Sequence, residues 1–191
     1  MTDRHAKTSA TRTARIRAQI TIASKSLFDA RSPYDLTFDE VAKEARLAPQ
    51  TVQKHFPNLS NLAIEAYLRP INEMCQRLLQ EKEYTTRSRL TQLIIELATL
   101  FVQHPSLAVA LTDELQRDVN DQHAMCRSLL SGTERWLNSF RRCGKEASRE
   151  RAVNLILALA RWASTHFKRH EAPDADLIEA RAHRTVTDLS W

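Results

Sequence analysis

Residues 50–55 carry two carboxamides, a hydroxyl, an ammonium and an imidazole around the apolar Val52. Carboxamides can pair with base edges in the major groove of DNA, and an ammonium can bind phosphate. Val52 and Phe56 lie four residues apart, so on a helix both would face inward and leave the polar residues on the opposite face. The stretch therefore favours a short helix with a nucleic-acid-binding face.

The preceding residues predict a second short helix, joined to the first candidate by a tight turn. Thr37 and Glu40 have the spacing of a capping box, and Leu36 and Val41 are placed to pack as a hydrophobic staple, so a helix starts just after Thr37. Pro49 suits the first turn of the next helix, because its missing N–H would have no partner there. This pattern indicates a helix-turn-helix. The alternative is an ordinary helix pair with a solvated polar face.

Two residue pairs have spacings that could place two ligands on one metal ion, namely His123 with Cys126 and His166 with His170. Neither pair has an obvious third ligand nearby, so surface or core histidines are the simpler interpretation. The sequence has no Ser-His-Asp order, glycine-rich elbow or paired carboxylates. We therefore predict no catalytic site, no metal and no cofactor.

The composition predicts an all-helical protein. Among 191 residues there are only 2 glycines, with 6 prolines, which disfavours tight β-turns and phosphate-cradling loops. Long stretches rich in Ala, Leu, Arg, Glu and Gln favour helix. The net charge is +5, and residues 1–60 hold ten Lys and Arg against six Asp and Glu. A cationic excess beside a helix-turn-helix is the electrostatic footprint expected of a DNA-binding protein.

The sequence predicts a cytoplasmic protein with no membrane partner. The N-terminus has no apolar segment, and the longest apolar run, Leu155 to Ala160, falls far below a spanning length. The three cysteines, Cys75, Cys126 and Cys143, have no CxxC spacing, and we interpret them as reduced thiols.

Periodicity predicts how the N-terminal part is organised. Residues 1–11 lack periodicity and predict a disordered basic arm, in which cations could follow phosphates. A helix then carries Ile16, Ile20 and Leu27 on one side. The cluster Ser32–Asp35 breaks that helix, because it combines proline with turn-forming residues.

A long helix is predicted to connect the helix-turn-helix to the rest of the chain. Asn58 or Ser60 can cap it, and it runs to about Leu79. Pro70 lies inside this helix, where a proline removes a hydrogen bond and clashes one turn back, so we expect a kink. The kink is either a passive bend or a hinge that carries motion between domains.

Five further helices are predicted at about residues 86–104, 106–115, 119–143, 149–170 and 174–189. The fourth of them is the most apolar, and such a helix needs partners on two sides. The residues expected to face the core of the chain are Val153, Ile156, Leu157 and Ala160. The residues left for another partner are Leu155, Leu159 and Trp162.

Residues of about 12–67 resemble the DNA-binding domain of the tetracycline-repressor (TetR) family. The family's first helix ends in an apolar-Phe pair, as Leu27-Phe28 does, and its second helix opens with Thr and contains an apolar-Ala pair, as Thr37 and Val41-Ala42 do. Its recognition helix runs Thr-apolar-Tyr-basic-aromatic-Phe, which the segment from Thr51 to Phe56 matches at all positions but one.

Three departures from the family pattern stand beside this resemblance. Gln53 replaces the usual Tyr, and Leu59 lies where a phosphate-binding Lys is common, so two phosphate contacts are missing. The glycines usual in the two interhelical turns are absent, and Arg46 occupies the second turn.

The resemblance implies an all-α fold with an N-terminal three-helix DNA-binding domain at residues 12–57 and a larger ligand-binding and dimerisation domain at residues 58–191. It implies double-stranded DNA, a small-molecule effector and a second copy as partners, the copies pairing through their last two helices. The candidate DNA contacts are Arg12, Thr37, Pro49, Gln50, Thr51, Gln53, Lys54 and His55. The candidate ligand-lining residues, for which plain core is the simpler interpretation because any helical bundle requires apolar stripes, are Met74, Leu78, Phe101, Leu111, Trp136 and Phe140. The candidate dimer contacts are Leu155, Leu159, Trp162, Ile178 and Val186.

Two functions follow from these features. The first is a ligand-responsive repressor that binds a palindromic operator as a homodimer. The second, motivated by Gln53 and Leu59, is a helical ligand-binding or interaction protein of the same fold that has lost operator binding.

Overall fold

The computed structural model describes residues 2–80, 86–117, 123–140, 145–168 and 175–188, which contain ten α-helices, one 3-10 turn at Pro33–Asp35 and no strand. The prediction of an all-helical protein is confirmed. The helices are α1 (Thr2–Ala30), α2 (Phe38–Ala45), α3 (Pro49–His55), α4 (Leu59–Ala66), α5 (Leu68–Gln80), α6 (Thr86–Gln103), α7 (Pro105–Leu115), α8 (Ala124–Phe140), α9 (Lys145–Lys168) and α10 (Ala175–Asp188).

Helix α1 is longer than predicted. It begins at Thr2 and includes residues 2–11, which were expected to form a disordered arm. No glycine or proline precedes Ser32, so a helix nucleated by the packed part of α1 can propagate towards the N-terminus. At its other end, the buried Ser106 Oγ lies 2.6 Å from Phe28 O and 2.8 Å from Arg31 O. The single hydroxyl hydrogen is shared between, or alternates between, two carbonyls at the end of the helix, where carbonyls lack helical partners. The C-terminal end of α1 is thereby fixed to the start of α7.

The long connecting helix predicted after Asn58 is two helices, α4 and α5, separated at Tyr67. Pro70 has no N–H to donate to the carbonyl of Ala66, and its ring crowds that turn, so the helix is interrupted there rather than bent at the proline itself. Tyr67 is fully buried, and its hydroxyl donates to Asp29 Oδ1 at 2.8 Å. Burial, followed by this hydrogen bond, raises the pKa of the phenol above its ordinary value. The interruption is therefore anchored to α1.

The C-terminal helices surround α9, which packs against α6, α7 and α8, while α10 packs on α6 and α4 packs on α7. The buried apolar side chains form one continuous cluster, from Ile20 on α1 to Ala182 on α10. No described helix alone has the length and apolarity to cross a bilayer. Residues Leu90–Gln103 and helix α7 together have the required length and apolarity, but they are bent by 112° relative to each other. Their apolar side chains contribute to the core described above.

Helix α9 is rotated relative to the prediction. Leu155 and Leu159 are 2% and 0% exposed within the single chain, so the expectation that they would meet a partner is wrong. Ile178 on α10 is likewise buried in the chain's own core. Among the described side chains of α9, the larger apolar ones that stay half-buried are Val153, Leu157 and Trp162. The helix buries residues at i, i+3, i+4, i+7 and i+8 from Ala152, about one position away from the predicted register. The Val186 side chain lies outside the described residues.

Candidate nucleic-acid interface

Helix α2 begins with the capping box that the sequence predicted. Glu40 N donates to Thr37 Oγ1 at 3.3 Å, and Thr37 N donates to Glu40 Oε2 at 2.9 Å. The other carboxylate oxygen of Glu40 accepts from Arg31 Nη1 at 2.8 Å. The Arg31 hydrogen bond, then those from Thr37, hold the pKa of Glu40 below its ordinary value. Two orphan N–H groups are satisfied, and the start of α2 is linked to the end of α1.

The turn between α2 and α3 keeps a glycine-type geometry without a glycine. Arg46 has φ 54° and ψ 46°, the left-handed region. Arg46 N donates to Lys43 O at 3.2 Å and Leu47 N donates to Ala42 O at 2.9 Å, which is the bond pattern of a Schellman motif with arginine at the position glycine usually takes. Gln19 Nε2 on α1 also donates to Ala45 O at 2.8 Å. The missing glycine therefore leaves the turn intact, at the cost of local backbone strain.

Helix α3 starts at Pro49, as predicted, and turns Val52 and Phe56 into the core, where they are 0% and 1% exposed. The candidate DNA contacts that lie exposed are Arg12, Thr37, Gln50, Gln53 and Lys54. Those that are half-buried are Pro49, Thr51 and His55. The structure thus brings Gln50, Gln53 and Lys54 onto one exposed face of a short helix. Their chemistry matches base edges and phosphates.

Arg17 on α1 holds the C-terminal end of α3. Its Nη1 donates to His55 O at 2.7 Å, and its guanidinium carbon lies 4.4 Å from the centroid of the Phe56 ring. Its Nη2 pairs with Glu65 Oε2 on α4 at 3.3 Å. The guanidinium has the planar fork needed to bond and stack at the same time. The role of Arg17 could not be predicted from the sequence, because His55 lies 38 residues further along the chain and no local pattern links the two.

The cationic charge on the exposed face of α3 comes from Lys54. Burial, then the nearby charges of Arg17 and Lys54, lowers the pKa of His55 below its ordinary value, which favours the neutral imidazole. Leu59, at the start of α4, is half-buried and packs against the core. It supplies no cation at the position where the family commonly has lysine.

Among the candidate ligand-lining residues, Met74, Phe101 and Leu111 are each 0% exposed and belong to the continuous core. The side chains of Leu78, Trp136 and Phe140 lie outside the described residues. Whether these residues line a ligand pocket stays a prediction.

The pair His123 and Cys126 has other partners in the structure. His123 Nε2 lies 3.2 Å from Glu65 Oε2, and Cys126 is buried. Burial, then the charge of Glu114, raises the pKa of the Cys126 thiol to about 12. No group of three or more potential ligands that could hold a metal ion occurs in the part of the chain that the structure describes. The His166 side chain and residue His170 fall outside that part.

The fold and this face define a helical protein with an N-terminal helix-turn-helix on a larger helical body. No family model and no curated protein matches the sequence. Solved structures do share its fold.

A candidate regulator of fatty acid metabolism from Clostridium perfringens is 16% identical, with a TM-score of 0.59, over 89% of this chain and 97% of that one. A TetR-like transcriptional regulator from Rhodococcus sp. RHA1 is 15% identical, with a TM-score of 0.56, over 90% and 93% of the two chains. A TetR-family transcriptional regulator from Streptomyces coelicolor is 17% identical, with a TM-score of 0.56, over 93% and 79%. The chain therefore has the fold of the TetR-like transcriptional regulators, as the resemblance implied.

Proposed function

We propose that this protein is a ligand-responsive transcriptional repressor that acts in the cytoplasm. It binds a palindromic operator as a homodimer, with the two copies of α3 in successive major grooves about 34 Å apart. The observation that carries the proposal is the exposed face of α3, where two carboxamides and an ammonium stand on a helix whose ends are both fixed. Arg12 on α1 adds an exposed cation to the same half of the molecule.

Enrichment from random duplexes tests this function directly. The full-length protein is expected to select a palindrome, and its retention on nonspecific duplex DNA is expected to fall steeply with salt, because each phosphate contact releases counterions. The matched control is a Gln50→Ala/Gln53→Ala/Lys54→Ala variant, which keeps the buried face of α3. Equal retention of wild type and variant, with no palindrome selected, would overturn the proposal.

The second candidate function is a binding protein of the same fold that has lost operator binding. Leu59 supports it, because this residue packs against the core where a phosphate-binding lysine is common. Gln53 supports it in the same way. A protein of this kind would give the negative result described above and would still be stabilised by a small molecule in a thermal-shift screen.

The effector is proposed to bind among the C-terminal helices and to change the spacing of the two copies of α3. The contact between α4 and α7 offers the physical link, because α4 directly follows the recognition helix. Such coupling is reciprocal. An effector that weakens DNA binding tenfold must itself bind about tenfold more weakly to the DNA complex, a coupling of about 1.4 kcal/mol.

A further inference from the structure

We propose that His123, at the entry to α8, is a positioning residue for the recognition helix α3, acting through Glu65 and Arg17. The inference deepens the proposed function by naming the contacts that transmit a change in the C-terminal helices to the DNA-reading face. We call Glu114, His123, Glu65 and Arg17 the polar relay.

The relay is seated on Glu114 of α7, whose side chain is 0% exposed. Its carboxylate accepts from His123 N at 2.7 Å, from Asn61 Nδ2 at 2.7 Å and from Arg117 Nε at 3.0 Å. A buried carboxylate is tolerated only when its oxygens are satisfied, and removing a partner is costly. Glu114 therefore fixes the entry to α8 relative to α7 and to the first turn of α4.

The imidazole of His123 is oriented from both sides. Met125 N donates to His123 Nδ1 at 3.2 Å, so in the neutral ring the proton is on Nε2. That Nε2–H points at Glu65 Oε2, 3.2 Å away on α4. The ring thus accepts a backbone hydrogen bond at Nδ1 and donates to Glu65 from Nε2. The first contact fixes the tautomer that the second contact needs.

Glu65 Oε2 is shared between His123 and Arg17 Nη2. Arg17 in turn holds the last carbonyl of α3 and covers the ring of Phe56. A displacement of His123 would leave Arg17 as the remaining partner of the Glu65 carboxylate. The carboxylate would then shift from the position in which it pairs with the guanidinium of Arg17. The guanidinium cannot follow Glu65 and keep both the His55 carbonyl and the Phe56 ring, because its donors lie in one rigid plane. The C-terminal end of α3 is then released.

Hydrogen exchange of the amides in residues 50–56 tests the relay without requiring DNA. His123→Ala is expected to speed exchange there about tenfold, the effect of losing one charge-assisted hydrogen bond on local opening. His123→Gln retains an N–H donor for Glu65 and is expected to stay near wild type. Arg69→Ala is the matched control, because Arg69 pairs with Glu73 at 2.7 Å within α5 alone.

If Arg17→Ala speeds exchange in residues 50–56 while His123→Ala matches the Arg69→Ala control, α3 is held by Arg17 alone and His123 has no positioning role. Thermal unfolding of each variant identifies a global loss of structure, and should His123→Ala fail to fold, Glu65→Gln provides the same comparison with a nearly isosteric side chain.

DNA binding separates positioning from direct contact. Arg17→Ala is expected to lower operator affinity about tenfold with an unchanged salt slope, whereas loss of a phosphate contact lowers the slope by about 0.9. A lower slope for Arg17→Ala would make this residue a phosphate ligand and would contradict its place in the relay. Absence of any DNA binding would refute the proposed function, and the exchange experiment would still decide the relay.

Discussion

Gln50 and Lys54 share an exposed face of α3 but differ in what they can read. Lys54→Ala is expected to weaken binding to all duplexes and to reduce the salt slope by about 0.9, because an ammonium binds phosphate without regard to sequence. Gln50→Ala is expected to relax preference at one base position, at a cost of about 1–3 kcal/mol on the preferred site. Affinities on the selected operator and on its single-base variants measure both effects.

The control for this prediction is Arg69→Ala, which removes a charge from a side chain that is 89% exposed on α5. Equal losses on every duplex for Gln50→Ala and Lys54→Ala would show that the two roles are wrongly assigned.

Arg46 carries the backbone strain of the helix-turn-helix. Arg46→Gly is expected to raise the free energy of unfolding by about 0.5 kcal/mol, because glycine relieves the left-handed conformation but has more freedom to lose on folding. Arg46→Val is expected to lower it, since a β-branched side chain tolerates positive φ poorly. Denaturant unfolding measures both. A stabilising Val substitution would mean that the turn does not keep its left-handed residue in solution.

At the scale of helices, the separation of α4 from α5 depends on Pro70. Pro70→Ala supplies an N–H that can donate to Ala66 O, so we expect about one more turn of continuous helix across Tyr67. Backbone chemical shifts and amide exchange of residues 66–71 report this change. Pro49→Ala is the matched control, because the N–H at the first position of α3 would gain no helical partner.

If the separation persists in Pro70→Ala, the anchoring of Tyr67 to Asp29 maintains it instead. The same variant tests whether the junction is a hinge. An effector identified by thermal shift should change operator affinity by a different factor in Pro70→Ala than in wild type, and an unchanged factor would make the interruption passive packing.

Structural features that depend only on residues close together in the sequence could be predicted. The capping box at Thr37, the helix start at Pro49 and the Asn58 cap depend on side chains within three residues of the backbone they serve, and all three occur in the structure. Arg17 and Glu114 could not be found in this way, because their roles depend on partners from other helices. The left-handed conformation of Arg46 could not be predicted either, because the residue that usually marks this conformation, glycine, is absent from the turn.

The register of α9 was mispredicted for a different reason. Its sequence is apolar on nearly every side, so periodicity ranks its faces poorly. Packing against α6, α7 and α8 determines which residues of α9 are buried, and the buried face is the one that carries Leu155 and Leu159.

At the scale of the whole molecule, the corrected register relocates the proposed dimer contact to the side of α9 that carries Val153 and Leu157, which lie one turn apart. Leu157→Glu is expected to give a folded monomer, because it places a charge on the half-buried face of α9. Leu159→Glu is expected to unfold the chain, because it places a charge in the core. Light scattering gives the mass, and thermal unfolding followed by circular dichroism gives the stability.

Asn154→Glu is the control, because it adds the same charge at an exposed position of α9. A folded, dimeric Leu157→Glu protein would move the dimer contact away from this face of α9.

The length of helix α1 means that a tilt at its C-terminal end displaces its N-terminal end further than its middle. A straight α-helix of 29 residues is about 43 Å long, and its pivot is the C-terminal end that Ser106 holds against α7. A tilt of about five degrees at that pivot sweeps the N-terminal tip through roughly 4 Å, but moves the stretch that touches α2 and α3, near Gln19, by only about 1 Å. The basic residues before Arg15 would therefore be displaced roughly twice as far as the stretch near Gln19 for the same tilt.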